Sequence, residues 1–149
     1  MIYNEAKWLR ALILVIPHVG SSIDMLLYKK GNDTEKFRAG EDLKDGDNCY
    51  LNTKDGKFYK ASAKSCETSS TMLVKALQKI KAHEKGVFLV RGKYYTKNLK
   101  TGTLFLGTEK GELTSKMPEI SGSIIRIIST ALSEKEEYFC PSHDYIERK

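Results

Sequence analysis

The chain predicts a mainly β fold, a compact β-barrel or sandwich carrying a short N-terminal helical pair. Turn signals recur about every eight to twelve residues beyond residue 45, the rhythm of a sandwich or barrel rather than of βαβ units. From Gly102 to Lys149 short β-rich runs alternate with glycine-marked turns. Before residue 31, by contrast, apolar residues recur at helical spacing. At 149 residues the chain can bury one full core and is too short for two ordinary domains. The expected organisation is a helical attachment or oligomerisation segment over 1–31 and a β-module over 32–149.

In the first helix Leu9, Leu12, Ile13 and Ile16 follow helical spacing beside Trp8, with Lys7 and Arg10 towards the other side. Pro17 stops or kinks it. Ser21 and Asp24 then form a capping-box-like pair. Ile23, Leu26 and Leu27 continue an apolar stripe, and Gly31 serves as a C-terminal stop. Residues 11–16 are apolar on nearly every side, so this helix is expected to pack against the β-domain or a partner subunit. Thirteen residues separate Arg10 from Asp24, against the roughly twenty a membrane span needs. Membrane association through residues 8–28 is therefore an alternative reading and not the leading one.

Asn32 to Arg38 reads as a polar connector. Asn48-Cys-Tyr-Leu-Asn and Lys57-Phe-Tyr-Lys-Ala flank Asp55-Gly56, a hairpin turn signal. Ser62 to Thr71 is small and polar, as in a loop. Met72 to Ile80 is ambiguous, with residues that suit a helix. Gly86-Val-Phe-Leu-Val-Arg-Gly is a clearer strand, and Tyr94-Tyr95 begins the next. The remaining strands are Gly102-Thr-Leu-Phe-Leu-Gly-Thr, Gly111-Glu-Leu-Thr, the run Gly122 to Leu132, and Glu137-Tyr-Phe-Cys-Pro. Ile124, Ile125, Ile127 and Ile128 put apolar groups on both faces of one strand, which asks for cover on both sides, from a second layer or a neighbouring subunit.

The composition is that of a folded protein, 40% hydrophobic and 30% charged. Twenty-five Lys and Arg against 19 Asp and Glu leave a net charge of +6. That excess favours phosphates, acidic glycans or anionic surfaces as partners, although most of the lysines are scattered among acids as on a solvated face. Three widely spaced cysteines, Cys49, Cys66 and Cys140, suit a reducing compartment rather than a disulfide frame. The histidines lie far from one another and from any paired cysteine, so no metal and no cofactor are expected.

Catalytic patterns are few. Ser142-His143-Asp144 has the residue types of a hydrolase triad, but consecutive residues of an extended segment point to alternate faces and a triad is assembled in space. Asp45-Gly-Asp47-Asn48 lacks the twelfth-position glutamate of a calcium loop and reads as a turn. No Gly-rich phosphate loop occurs. Arg91, Lys93, Tyr94 and Tyr95, with Lys97 and Lys100 beside them, could form a stacking platform for single-stranded nucleic acid. The two tyrosines should face opposite sides, so only one could join it.

Ala39-Gly-Glu-Asp-Leu-Lys-Asp-Gly-Asp-Asn-Cys-Tyr-Leu-Asn, followed by Asp55-Gly-Lys-Phe-Tyr-Lys-Ala, resembles the opening of small β-modules in phage capsid decoration (cement) proteins, head fibres and tail fibres. In those modules a Leu-x-x-Gly-Asp turn feeds a strand ending in Tyr-Leu, and a Gly-Lys-x-Tyr-Lys-Ala strand returns. The likeness runs on through Gly86-Val-Phe-Leu-Val-Arg-Gly, Thr101-Gly-Thr-Leu-Phe-Leu-Gly-Thr, Gly111-Glu-Leu-Thr, the Gly122 strand and Tyr138-Phe-Cys-Pro, covering residues 39–147 in order. Strands occupy the place of Met72 to Ile80 in that family. The resemblance implies an all-β barrel or sandwich, assembled as a homotrimer and built into a virion made in the host cytoplasm. It carries no catalytic residues. The chain departs from the pattern in its lysine-rich turns and its N-terminal helical pair.

The expected function is thus a non-enzymatic virion structural protein whose partners are itself and other virion proteins, with host surface glycans open to its lysine-rich face. Interface contacts are expected from Trp8, Leu12 and Ile16 and from Ile124, Ile125, Ile127 and Ile128. The alternatives are a nucleic-acid-binding β-barrel using Arg91, Lys93 and one of Tyr94 and Tyr95, and the membrane-associated protein described above.

Overall fold

The computed structural model describes residues 31–149. The helical pair, with Trp8, Leu12, Ile16 and the segment 8–28, lies outside the described residues. What is described is mainly β, with no helix among these residues. Eleven strands follow in chain order: β1 (Asp33–Arg38), β2 (Asn48–Asn52), β3 (Lys57–Lys60), β4 (Leu73–Ala76), β5 (Lys85–Tyr95), β6 (Gly102–Leu106), β7 (Leu113–Thr114), β8 (Ile124–Ile125), β9 (Ile127–Ala131), β10 (Glu136–Phe139) and β11 (Ile146–Glu147). Every pairing between these strands is antiparallel, and an isolated parallel bridge joins Ala39 to Phe58. One sheet runs β3-β2-β4-β5-β10-β9-β6-β7 with β1 also on β5, and β8 and β11 form a separate two-stranded ribbon.

The hairpin at Asp55-Gly56 forms as its residues dictate. Gly56 takes φ +73°, its amide donates to the Asn52 carbonyl, and the Asp55 carboxylate accepts from the Lys57 amide. Asn52 Oδ1 accepts the Lys54 amide at 2.9 Å, so the Asn52 and Asp55 side chains both meet backbone donors of the turn. Residues 61–72 form the expected loop.

The stretch expected to be a polar connector is a strand instead. Asp33–Arg38 pairs along β5 because Phe37 turns inward onto Phe58 and Phe88, with ring centroids 4.6 and 5.9 Å away. Its charged residues face solvent, as suits an edge strand that must not recruit another chain. Met72 to Ile80 is not a helix. All four residues of β4 are buried, Leu73 towards one face, Val74 and Ala76 towards the other. Cover on both sides outweighs a helical propensity of a few tenths of a kcal/mol per residue.

The text from Gly86 to Tyr95 is one long strand rather than two. Its edges are shared among three partners. β1 and β4 overlap at Phe88 and Leu89 and so take opposite sides, while β10 pairs with Gly92 to Tyr95. Gly92 sits where β1 ends, at φ +138°, and a Cβ there would stand 2.2 Å from Asn32 Oδ1. That Asn32 side chain receives the Lys93 amide at 3.1 Å, extending the edge beyond β1. Conversely, the run Ile124 to Ile128 is divided. Arg126 breaks it into β8, paired with β11, and β9, paired with β6 and β10.

The sheet curls into a half-barrel. Residues just past β3, at one end of the path, bond to the β6–β7 turn at the other. Ala63 donates to Gly107, Gly111 donates to Ala61, and Ile124 donates to Ala63, at 2.7 to 2.8 Å. Inside the curl lie Leu73, Leu77, Leu89, Leu106, Ile128 and Phe139. A second cluster of Ala39, Leu43, Cys49, Phe58, Val74, Ile80 and Phe88 lies on the opposite face of β2, β4 and β5. Full burial of each large side chain contributes about 1.5–3 kcal/mol.

Candidate functional site

Two polar arrangements and one apolar surface stand out from this frame. The first is inside the curl. Cross-strand partners share a face, so the pairings Asn48 with Lys75 and Tyr94 with Glu137 put these side chains on the concave side, and Ser129 joins them opposite Phe139. Lys75 Nζ lies 2.9 Å from Glu137 Oε1, both side chains only 3% exposed. The ammonium also sits 4.7 Å from the centre of the Tyr94 ring and 5.6 Å from that of Phe139, within cation–π range. Burial nevertheless outweighs the carboxylate, and holds the Lys75 amine below the usual lysine range. Among the described residues Asn48 Oδ1, Ser129 Oγ and Glu137 Oε2 are buried without a hydrogen-bond partner. Tyr94 donates to Asp45 at 2.9 Å, which anchors the Asp45-Gly-Asp47 turn to the rim. That turn is closed by the Lys44 amide on Asp47 Oδ2 at 2.9 Å, and Gly46 takes φ +92°.

The second arrangement surrounds the residue that divides the isoleucine run. Arg126 is 4% exposed. Its Nη1 donates to the carbonyls of Ser69 and Thr71, and its Nε to that of Ser142, all at 2.7 Å. Among the described residues no carboxylate lies within 4.0 Å of it. Burial lowers its pKa, offset only in part by the phenol of Tyr145. Arg126 lines a cleft of about 410 Å³ together with Asp33, Ser70, Thr71, Met72, Arg91 and His143. The odd polar residue in Ile-Ile-Arg-Ile-Ile was the available signal. Strand alternation gave it no special place, and sequence reasoning missed it.

The apolar surface is on the β8–β11 ribbon and the loop before it. Ile120 and Ile146 are 62% and 64% exposed, Tyr145 is exposed, and Ile125 is half-buried. Of the four isoleucines expected at an interface, Ile124 and Ile128 are buried within the chain, whereas Ile127, 47% exposed, and Ile125 face outward.

In the basic aromatic patch, Tyr94 is 8% exposed and belongs to the core, while Tyr95 is 55% exposed. Arg91, Lys93 and Tyr95 alternate along the outward face of β5. Their charge is partly engaged, because Arg91 Nε donates to the Tyr138 hydroxyl at 3.2 Å and Lys93 Nζ lies 4.0 Å from Glu136. At Ser142-His143-Asp144 the serine oxygen accepts the Asp144 amide at 3.1 Å, a local turn. Among the described residues no group of three His, Cys, Asp or Glu could hold a metal ion, and no helix is long and apolar enough to cross a membrane. In comparisons with protein-family models, with curated proteins and with solved structures, nothing matches the chain.

Proposed function

We propose that the chain is a non-enzymatic structural component of a phage virion, a capsid decoration or head or tail fibre part. Its half-barrel closes with its own loops into a barrel- or sandwich-like module, and it works by assembling with copies of itself, as a homotrimer, and with neighbouring virion proteins. The observation that carries the reading is the ribbon surface, where Ile120, Ile125 and Ile146 stand towards solvent on a two-stranded element separate from the main sheet. Exposed apolar groups gathered in one place on a small protein mark an interaction surface, and a two-stranded ribbon gains stability from a neighbour. The ordered motifs over residues 39–147 add the phage context through resemblance. A surface of scattered lysines and acids leaves room for adhesion to host glycans alongside assembly.

Light scattering of the full chain tests the reading. A trimer mass is expected, and Ile146→Lys together with Ile120→Lys should lower it while leaving the circular dichroism spectrum unchanged. A monomer at every concentration tried would overturn the assembly reading. Truncation of residues 1–31 then reports how much of the association that segment supplies.

A further inference from the structure

The cleft around Arg126 deepens the adhesive part of that reading. We propose that it binds the carboxylate of an acidic monosaccharide, a uronic or sialic acid unit, with Arg126 at its wall and Arg91 and His143 beside it. An arginine removed from water is ordinarily matched by a carboxylate, since burying a charge is costly unless it is paired and hydrogen-bonded. Arg126 is matched here only by backbone carbonyls, on Nη1 and Nε. Those bonds hold the guanidinium plane rigidly, and among the described residues its Nη2 makes none. The two Nη2 protons that remain are fixed, charged donors, and a carboxylate oxygen can accept from them.

The other lining residues narrow the ligand class. A volume of about 410 Å³ is within the range of small-molecule sites. Met72, Val90 and Pro141 offer an apolar wall for the C–H face of a sugar ring, while Ser70 and Thr71 supply hydroxyls. The Thr71 hydroxyl donates to the Leu51 carbonyl at 2.6 Å and so presents its lone pairs as acceptors. Asp33, also in the lining, accepts from sugar hydroxyls. It repels a doubly charged phosphate more than a singly charged carboxylate. Arg91 is braced by its bond to Tyr138.

The test is a heteronuclear NMR titration of the full chain with glucuronate, glucose, acetate and inorganic phosphate. Glucuronate should shift the amides of Ser70 to Leu73, Arg91 and Ser142 to His143 saturably, and glucose should not. Acetate should bind at least tenfold more weakly than glucuronate. Arg91→Ala, on the exposed rim, should weaken glucuronate about tenfold, the loss of one charge-assisted bond. Arg126→Lys, which keeps the charge and loses the positioned Nη2 donors, should weaken it further, with a retained amide spectrum reporting an intact fold. Equal binding of acetate and glucuronate, tighter binding of phosphate, or no saturable shift would each overturn the proposal. Light scattering on the same samples separates this outcome from the assembly reading: a trimer that ignores glucuronate removes the site alone.

Discussion

Replacing Glu137 by Gln tests how the interior of the curl is held together. The substitution keeps the shape but removes the carboxylate 2.9 Å from the Lys75 ammonium, leaving a cation 3% exposed among Tyr94, Phe139 and the leucines of the core. Breaking one side of a buried pair costs about 3–5 kcal/mol. The loss has a ceiling, because the amine can shed its proton. From the ordinary lysine value of 10.5 to neutral pH, at about 1.4 kcal/mol per unit, that escape costs about 5 kcal/mol. Urea denaturation of the variant at neutral pH should therefore show a loss of about 3–5 kcal/mol. The pH dependence has a definite sign. The folded variant would hold Lys75 neutral while the unfolded chain keeps it protonated up to 10.5. The unfolded state then binds more protons, so stability rises with pH. The deficit should shrink steadily towards pH 10.5, and Lys75→Met with Glu137→Leu should restore most of it. A loss below about 1 kcal/mol, typical of a solvent-screened pair, with no change in deficit on raising the pH, would refute the reasoning.

Three further outcomes follow from the interior and the turns. Ser129 Oγ is buried without a partner among the described residues, so Ser129→Ala should be neutral or stabilising by up to about 1 kcal/mol in the same assay; a clear loss would mean the hydroxyl is satisfied in solution. Burial and the nearby Asp47 push the Cys49 thiol far above its ordinary value, whereas Cys66 and Cys140 are exposed. Thiol titration of the native protein should accordingly count two fast groups, the third appearing only on unfolding. Gly92→Ala should lose about 1–3 kcal/mol from its backbone conformation alone. It should lose less on an Asn32→Ala background, where the 2.2 Å collision with the Oδ1 atom is gone.

Much of the β-module was legible because its turns carry their own chemistry. Asp55-Gly56, Asp45-Gly-Asp47 and the glycines after residue 102 mark chain reversals with residues that meet the local backbone demands. What escaped depends on neighbours distant in sequence. Asp33–Arg38 looks like a connector until Phe37 finds Phe58 and Phe88, and Leu73–Ala76 reads as helical until both its faces are covered. The opposite facing of Tyr94 and Tyr95 follows from strand alternation and was readable. The pairing of Lys75 with Glu137, and the isolation of Arg126 from any described acid, were not. Each depends on which residues the curl brings together, and no local pattern encodes it.

The bonds between the Ala61–Ala63 segment and Gly107, Gly111 and Ile124 also bear on how the molecule is made. They join parts of the chain that leave the ribosome well apart, so the early hairpin has no far side to rest on until the later strands emerge. Contacts so distant in sequence are reached at a high loop-closure cost, and folding dominated by them runs in milliseconds to seconds. The nascent module would wait, with its concave leucines uncovered, until the chain as far as Ile124 is available. Emergence of the stretch from Gly107 to Ile124, rather than any single hairpin, then sets the moment at which the curl can close.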